Sequence, residues 1–327
     1  MGETAAMPGE FDFIRRHLQA VRQQDADVLL GIGDDAAIVR PRAGFDLCYS
    51  SDMLLAGRHF FADVAPEDLA HKMLAVNISD MAAMGAVPRW VLLSAALPHL
   101  EENWLQRFSG SLFGMLKQYG ISLIGGDTTR GDWVFNVTII GEVPQGQGLR
   151  RSGAQVDDDI WVSGRVGLAA AALNHIWQRV RLPENLLADC EAARLRPQPR
   201  VALGQALLPL AHAAQDISDG LAQDLGHILA ASKVGALLEA DRIPTLPGLR
   251  DCLPEALYDD FILAGGDDYE LLFTAAPERR PHILAAAEHS RTPVARIGRI
   301  TDTGYLKTVR ADGSELKLAK QGYDHFA

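Results

Sequence analysis

Leu123-Ile-Gly-Gly-Asp-Thr-Thr-Arg130, followed by the β-branched and aromatic run Trp133–Val143, is the stretch on which the fold turns. An apolar run gives way to glycines and then to an aspartate, and a second strand pattern follows. The same order occurs at Leu29-Leu-Gly-Ile-Gly-Asp-Asp35 and, more briefly, at Tyr49-Ser-Ser-Asp52. It returns in the second half at Asp216-Ile-Ser-Asp-Gly220 and Ala264-Gly-Gly-Asp-Asp-Tyr-Glu270. Glycine lets a backbone turn sharply and approach a ligand closely, and open α/β sheets place their ligands at strand ends. A single Gly-Asp pair is an ordinary turn. Five corners, each expected directly after an apolar strand, point to a polynuclear metal–phosphate site. Adjacent carboxylates resist ionising together unless a cation neutralises them, and magnesium commonly bridges carboxylates to substrate phosphates.

Outward from those corners, strand-like and helix-like segments alternate along the chain. Helices are expected at Glu10–Arg22, from Pro66 to about Gly85, and at Glu101–Tyr119, with strands at Ala36–Arg40, Leu47–Ser51, Trp90–Leu97 and Ile121–Ile124. Proline suits the first turn of a helix, and glycine suits its end. Asp68 and Lys72 are spaced as an i,i+4 pair. The segment from Pro144 to Gly153 reads as a crossing between domains. Beyond it come strand Ile160–Ser163, an Ala-rich helix from Val166, helices near Arg200–His212 and Gly220–Ala231, strand Tyr269–Thr274 and helix Pro281–His289. The expectation is α/β, of α+β type, in two domains, 1–145 and 150–327.

Composition narrows the function. The 327 residues are 48% hydrophobic and 22% charged, an ordinary globular profile. A net charge of −11 argues against nucleic acid, which is gripped by clustered Lys and Arg. Phosphates can still bind an acidic chain when metal cations lie between. No apolar run is long enough for a membrane span, the opening residues do not read as a secretory signal, and three dispersed cysteines suit a reducing compartment. No membrane partner and a cytoplasmic location are therefore expected. Gly31-Ile-Gly-Asp-Asp-Ala36 fits the dinucleotide pattern formally, but a strand follows it instead of a helix. Walker A, protein-kinase, EF-hand, HExxH and GxSxG signatures are all missing. Asp80, within Val76-Asn-Ile-Ser-Asp-Met-Ala-Ala-Met-Gly85, lies on a mainly small and apolar helix, where a carboxylate needs a partner or a metal unless it is exposed.

Taken together these blocks resemble the thiamine-monophosphate kinase family, of the aminoimidazole ribonucleotide synthetase superfamily. The resemblance runs from Gly9-Glu-Phe11 to Gly322-Tyr-Asp-His-Phe326 and includes Gly57-Arg-His-Phe60, Gly125-Gly-Asp-Thr-Thr-Arg-Gly131 and Arg151-Ser-Gly153. It implies a two-domain fold whose N-terminal half forms a dimer-spanning β-barrel, with a C-terminal α/β domain. It implies Mg2+-dependent transfer of the ATP γ-phosphoryl group to thiamine monophosphate by a homodimer. By resemblance Asp35, Asp52, Asp80, Asp127 and Asp216 ligate Mg2+, Asp219 holds a further ion, and Ser50 and Ser51 add oxygens. Gly126, Asp127, Arg151 and Ser218 contact ATP, and Asp35, Asp127 and Arg151 carry the transfer. His59 and Asp267 contact thiamine monophosphate; Asp34 is given no ligand role. Two positions depart from the family: Asp267 replaces a frequent Glu, and Lys320 stands where an aromatic residue is expected, with Tyr323 as its substitute. The alternatives are a sister ATP-dependent reaction of the ribonucleotide synthetase type, or a silent Mg-nucleotide-binding protein.

Overall fold

The structure, a computed structural model, describes residues 26–317 and 322–323. The expected helix Glu10–Arg22, the Gly9-Glu-Phe11 match and Lys320 lie outside them. Contacts divide the described residues into two compact units: one holds 26–78 together with Val87–Gln145, and the other holds Ser79–Ala86 together with the described residues from Gly146 onward.

The first unit is built on a four-stranded sheet of β3 (Phe45–Leu55), β6 (Val134–Pro144), β4 (Val87–Leu97) and β5 (Ser122–Arg130), in that spatial order. Pairing is antiparallel except between β4 and β5, which are parallel and joined through helix α2 (Glu102–Tyr119). That is the connection a parallel pair requires. Apolar residues at helical spacing along α2, Leu105, Phe108, Leu112, Met115 and Leu116, are all buried, each contributing about 1.5–3 kcal/mol. Rings of Trp104, Phe108, Trp133 and Phe135 stack there, with centroids 4.8–6.3 Å apart. A short ribbon, β1 (Val28–Leu30) with β2 (Ile38–Val39), accompanies the sheet, and Val28, Ala37 and Val39 pack against Trp90, Ile124 and Ile140. Helix α1 (Pro66–Ala83) starts at the proline as expected, and Gly85 follows with φ +68.

The second unit holds a six-stranded sheet ordered β12 (Leu306–Val309), β9 (Gly235–Glu239), β11 (Val294–Thr301), β7 (Asp159–Ser163), β10 (Leu271–Ala275), β8 (Ala213–Asp216). Only β12 with β9 is parallel. Around this sheet the chain forms α3 (Leu168–Ile176), α4 (Glu184–Leu195), α5 (Val201–Leu207), α6 (Leu221–Ser232), α7 (Glu255–Ala264) and α8 (Arg280–His289). Ile160, Val162, Leu221, Leu225, Ile228, Ile262 and Leu272 meet in its main core.

Both sheets are mixed, and neither closes into a barrel among the described residues. Several expected boundaries shift. The strand expected at Ala36–Arg40 is only Ile38–Val39, whereas the one expected at Leu47–Ser51 runs eleven residues. Helices α4 and α7 are not anticipated by the apolar pattern. Three of the five acidic corners are corrected as well. Tyr49–Asp52 lies inside β3, and Gly125–Asp127 inside β5. Gly265–Glu270 follows a helix, not a strand. In the first two, cross-strand hydrogen bonds outweigh the turn preference of the residues once a full-length partner strand is alongside.

Candidate functional site

In the first unit, Gly31–Asp35 leaves β1 as expected, with Asp34 and Asp35 exposed and the Asp35 N–H donating to Asp34 Oδ1 at 2.9 Å. Register places the other acidic residues. Asp127 is level with Ser94, Asn136 and Met53 across the sheet. Asp52 falls in the next row, with Val137, Leu93 and Gly126. Residues paired directly across strands share a face, and adjacent rows face oppositely. Asp52 and Asp127 therefore lie in adjacent rows on the two outer strands, about three strand spacings or ~14 Å apart. Within this unit they cannot share one ion.

Glycine at 126 is required by the sheet. Its φ is +149, and a Cβ there would sit 1.8 Å from the Leu93 carbonyl oxygen. A bulge between Val91 and Leu92 in the β4–β5 register lies next to it, as bulges often do where a strand re-aims a side chain. On β3, Ser51 Oγ lies 3.0 Å from Thr138 Oγ1 and 3.3 Å from Asn136 Oδ1. The Asp52 N–H donates to Oδ1 of fully buried Asn77 at 3.1 Å, tying helix α1 to the strand. His59 Nδ1 accepts the Leu55 N–H at 3.0 Å, which leaves the ring hydrogen of a neutral imidazole on Nε2.

The second unit assembles a denser acidic cluster from two loops. Asp216 ends β8, and Ser218 and Asp219 lie between it and α6; Asp267, Asp268 and Glu270 lie between α7 and β10. Backbone bonds lace the loops together: Ile217 N–H to the Glu270 carbonyl, Tyr269 N–H to Ile217 and Asp267 N–H to Ser218, each 2.8 Å. The ladder of β8 with β10 continues through them into the site. Approach is close enough that a Cβ on Gly266 would stand 2.5 Å from the Ser218 carbonyl oxygen. Asp267 and Tyr269 both have positive φ, at +71 and +51, and the Tyr269 hydroxyl donates to Asp267 Oδ1 at 3.1 Å. Backbone strain of this kind persists where surrounding structure enforces it, and it concentrates at functional sites.

Sequence reasoning missed the residues that hold this cluster in place. Ser79, buried on the last turns of α1, donates to Asp216 Oδ2 at 2.7 Å. Glu270 is buried and takes both arms of the Arg200 fork, at 2.7 and 2.5 Å, together with Ser163 Oγ at 2.5 Å. Asp268 receives the Gly167 N–H on both oxygens at 3.0 Å, at the start of α3. Burial pushes the Asp268 carboxyl well above its ordinary range; the Gly167 amide opposes this, and the charges of Glu270, Asp267 and Asp224 reinforce it. Burial likewise raises Asp224 to about 6, against the pull of three backbone amides. The available signal was spacing: Asp268 and Glu270 belong to a block already singled out, and Asp224 lies four residues after Gly220.

Of the other expected residues, Asp80 is half-buried on α1, and Arg151 is exposed, its carbonyl receiving Ser232 Oγ at 3.2 Å. Tyr323 is 43% exposed, and its N–H donates to the Asp219 carbonyl at 2.9 Å. Asp219, Asp224 and His227 each bring one ligand atom within 4.8 Å of the others. The candidate donors are overwhelmingly carboxylate and hydroxyl oxygens, with no thiol among them. Such a set suits a hard cation such as Mg2+ rather than zinc. The crowded carboxylates of the second unit also need positive charge nearby.

Comparisons with known proteins agree with this architecture. Residues 33–143 match the model of the AIR synthase related protein N-terminal domain, and residues 155–310 that of its C-terminal domain. Thiamine-monophosphate kinase of Escherichia coli (strain K12) is 45% identical over 322 residues, 98% of each chain. That of Bacillus subtilis (strain 168) is 33% identical over 327 residues, 97% of this chain and 99% of its own. The crystal structure of thiamine-monophosphate kinase from Stenotrophomonas maltophilia K279a superposes with a TM-score of 0.85 at 44% identity, covering 95% of this chain and 99% of that one. AaThiL complexed with AMPPCP and TMP gives a TM-score of 0.75 at 27% identity, covering 99% and 100%.

Proposed function

We infer function from one premise: this chain belongs to the AIR synthase related family and, within it, to the thiamine-monophosphate kinases. It transfers the γ-phosphoryl group of ATP to the phosphate of thiamine monophosphate, giving thiamine diphosphate and ADP. The observation that carries this is likeness along the whole chain to kinases of that acceptor, joined by a solved relative holding AMPPCP and TMP together.

In this reading an anionic phosphate oxygen of thiamine monophosphate attacks the γ-phosphorus in line. The bond from that phosphorus to the β,γ-bridging oxygen breaks, and ADP leaves with the electron pair. The acceptor is already ionised at neutral pH, so no general base is needed. Two polyanions must instead be brought together and their charge compensated. Asp35, Asp52, Asp80, Asp127 and Asp216 are assigned to Mg2+, Asp219 to a further ion, and Ser50 and Ser51 to supporting oxygens. Bound Mg2+ supplies charge compensation and polarises phosphoryl oxygens. Gly126, Ser218 and Arg151 are assigned to ATP, with Arg151 contributing fixed positive charge. His59 Nε2–H, Asp267, Lys320 and Tyr323 are assigned to thiamine monophosphate, with Tyr323 as the aromatic substitute.

The assignments divide between an N-terminal domain 1–145 and a C-terminal domain 150–327, in a cytoplasmic homodimer. The dimer would join first-unit sheets into a barrel. What supports this is that β3 ends the four-stranded order, so its outer edge pairs with no strand among the described residues, and exposed Tyr49 and Met53 lie along it. No helix among the described residues is long and apolar enough to cross a membrane.

The test is ADP release from MgATP with and without thiamine monophosphate, with mass identification of the product. Thiamine diphosphate forming in step with ADP is the expected result. ADP release without it would move the chain to a sister reaction, and tight MgATP binding without any turnover would make it a silent binder.

A further inference from the structure

The loop Asp216–Gly220 supplies three of the assigned side chains, yet its shape is set from the helix that follows. Asp224, on the first turns of α6, is 1% exposed. Its Oδ2 accepts the N–H groups of Ser218, Asp219 and Gly220, each at 3.1 Å, and its Oδ1 accepts Gln215 Nε2 at 2.6 Å. Three consecutive amides converging on one oxygen fix the path of the loop around it. Both carboxylate oxygens are already engaged, so Asp224 is better placed to shape the loop than to ligate an ion. On their other side the same residues face the second loop and the chain end: the Ser218 carbonyl receives Asp267 N–H, and the Asp219 carbonyl receives Tyr323 N–H.

We propose that Asp224 is a positioning residue, whose carboxylate gathers three loop amides and thereby presents Asp216, Ser218 and Asp219 to the cation and the nucleotide phosphates. The inference rests on the metal–phosphate reading of this loop. It also separates geometry from charge. Gln215 Oε1 is buried without a hydrogen-bond partner, so a half-turn of that amide can accept the Nδ2–H of an asparagine at 224, whose own oxygen keeps the three amides.

The experiment measures Mn2+ binding to the full-length protein without nucleotide, by loss of the free-ion paramagnetic resonance signal. KM values for MgATP and thiamine monophosphate and a thermal melt accompany it. Asp224→Ala should weaken Mn2+ binding and raise the MgATP KM by about 10-fold or more, as loss of an outer-shell partner does, with a smaller rise in the KM for thiamine monophosphate through the Ser218 and Asp219 carbonyls that hold Asp267 and Tyr323. Asp224→Asn should stay within about threefold of the parent on every measure, and His227→Ala should leave Mn2+ binding unchanged within about twofold. If the alanine variant does not fold, Asp224→Glu displaces the acceptor oxygen and should show the same split. The proposal falls if Asp224→Ala binds Mn2+ and MgATP like the parent, or if the asparagine variant loses as much as alanine. It falls also if His227→Ala matches that loss, which would make Asp224 a ligand. Asp216→Asn is the control: binding unchanged there as well would overturn the metal reading along with this inference, whereas binding lost there but kept in Asp224→Ala overturns the inference alone.

Discussion

Glu270→Gln is the most informative single change in the second unit, because it alters charge while leaving shape almost untouched. The carboxylate has a side-chain exposure of 7% and receives two bonds from Arg200, itself 22% exposed, plus the Ser163 hydroxyl. An amide offers one acceptor where the carboxylate offered two, so one arm of the guanidinium loses its partner. The bonds that survive fall from charge-assisted to neutral strength, about 1 kcal/mol each, and the orphaned donor adds about 1–2 kcal/mol. Partial access of Arg200 to water recovers some of that. The sum is about 3 kcal/mol, or roughly 6–12 °C in Tm for a domain of 150–250 residues. Urea unfolding of a variant that keeps Trp161, buried on β7 and stacked on Phe273, as its one tryptophan of the five reads this by fluorescence. Crossing Glu270→Gln with Arg200→Met should give a coupling of about 2 kcal/mol, within the range of groups in direct contact. A coupling below about 0.5 kcal/mol would refute the claim that this pair braces the Asp267–Asp268 loop.

Other expectations follow from the same geometry. Asp127→Asn and Asp35→Asn, both at exposed positions, should abolish turnover while the melting curve stays within about 1 °C of the parent, as surface changes do; near-normal rates at saturating Mg2+ would remove that residue from the ligand set. Gly126→Ala places a Cβ against the Leu93 carbonyl in a backbone with positive φ, and should cost at least about 3 kcal/mol in a denaturant titration, since strain alone accounts for about 1–3. A loss under about 1 kcal/mol would show that β5 shifts freely. Burial, and behind it the charge of Asp189, pushes the Cys190 thiol up to about 12. In the native protein at pH 8 it should therefore resist thiol reagents that label it on unfolding. Because the raised pKa favours the folded thiol, this group's contribution to stability is intact below pH 9 and declines between pH 9 and 12; prompt labelling of native Cys190 would contradict its burial.

The edge position of β3 and the separation of Asp52 from Asp127 bear on how the active site is completed. Residues of one sheet that are roughly 14 Å apart need ligands from elsewhere to enclose a common phosphate chain. Sedimentation as a monomer at working concentration would count against the proposed dimer.

The alternation of apolar runs, helical periodicities and glycine-flanked aspartates determined the two α/β halves and the blocks that place the chain in its family, and raised the expectation of acidic metal–phosphate chemistry. These are local signals: strand and helix periods differ, and Asp next to Gly records a backbone requirement that few other residues satisfy. Helix α1 from Pro66 and helix α2 were legible for that reason. Only the tertiary structure decided that Tyr49–Asp52 and Gly125–Asp127 continue as strands, because a full-length partner strand outweighs the turn preference of small polar residues. It alone also revealed Asn77 under Asp52, Ser79 under Asp216, Arg200 on Glu270 and Asp224 inside the Asp216–Gly220 loop. In the first three pairs the partners are 25, 137 and 70 residues apart. A hydrogen bond at that separation leaves no periodic trace in the chain; it exists only once folding has brought its two ends together.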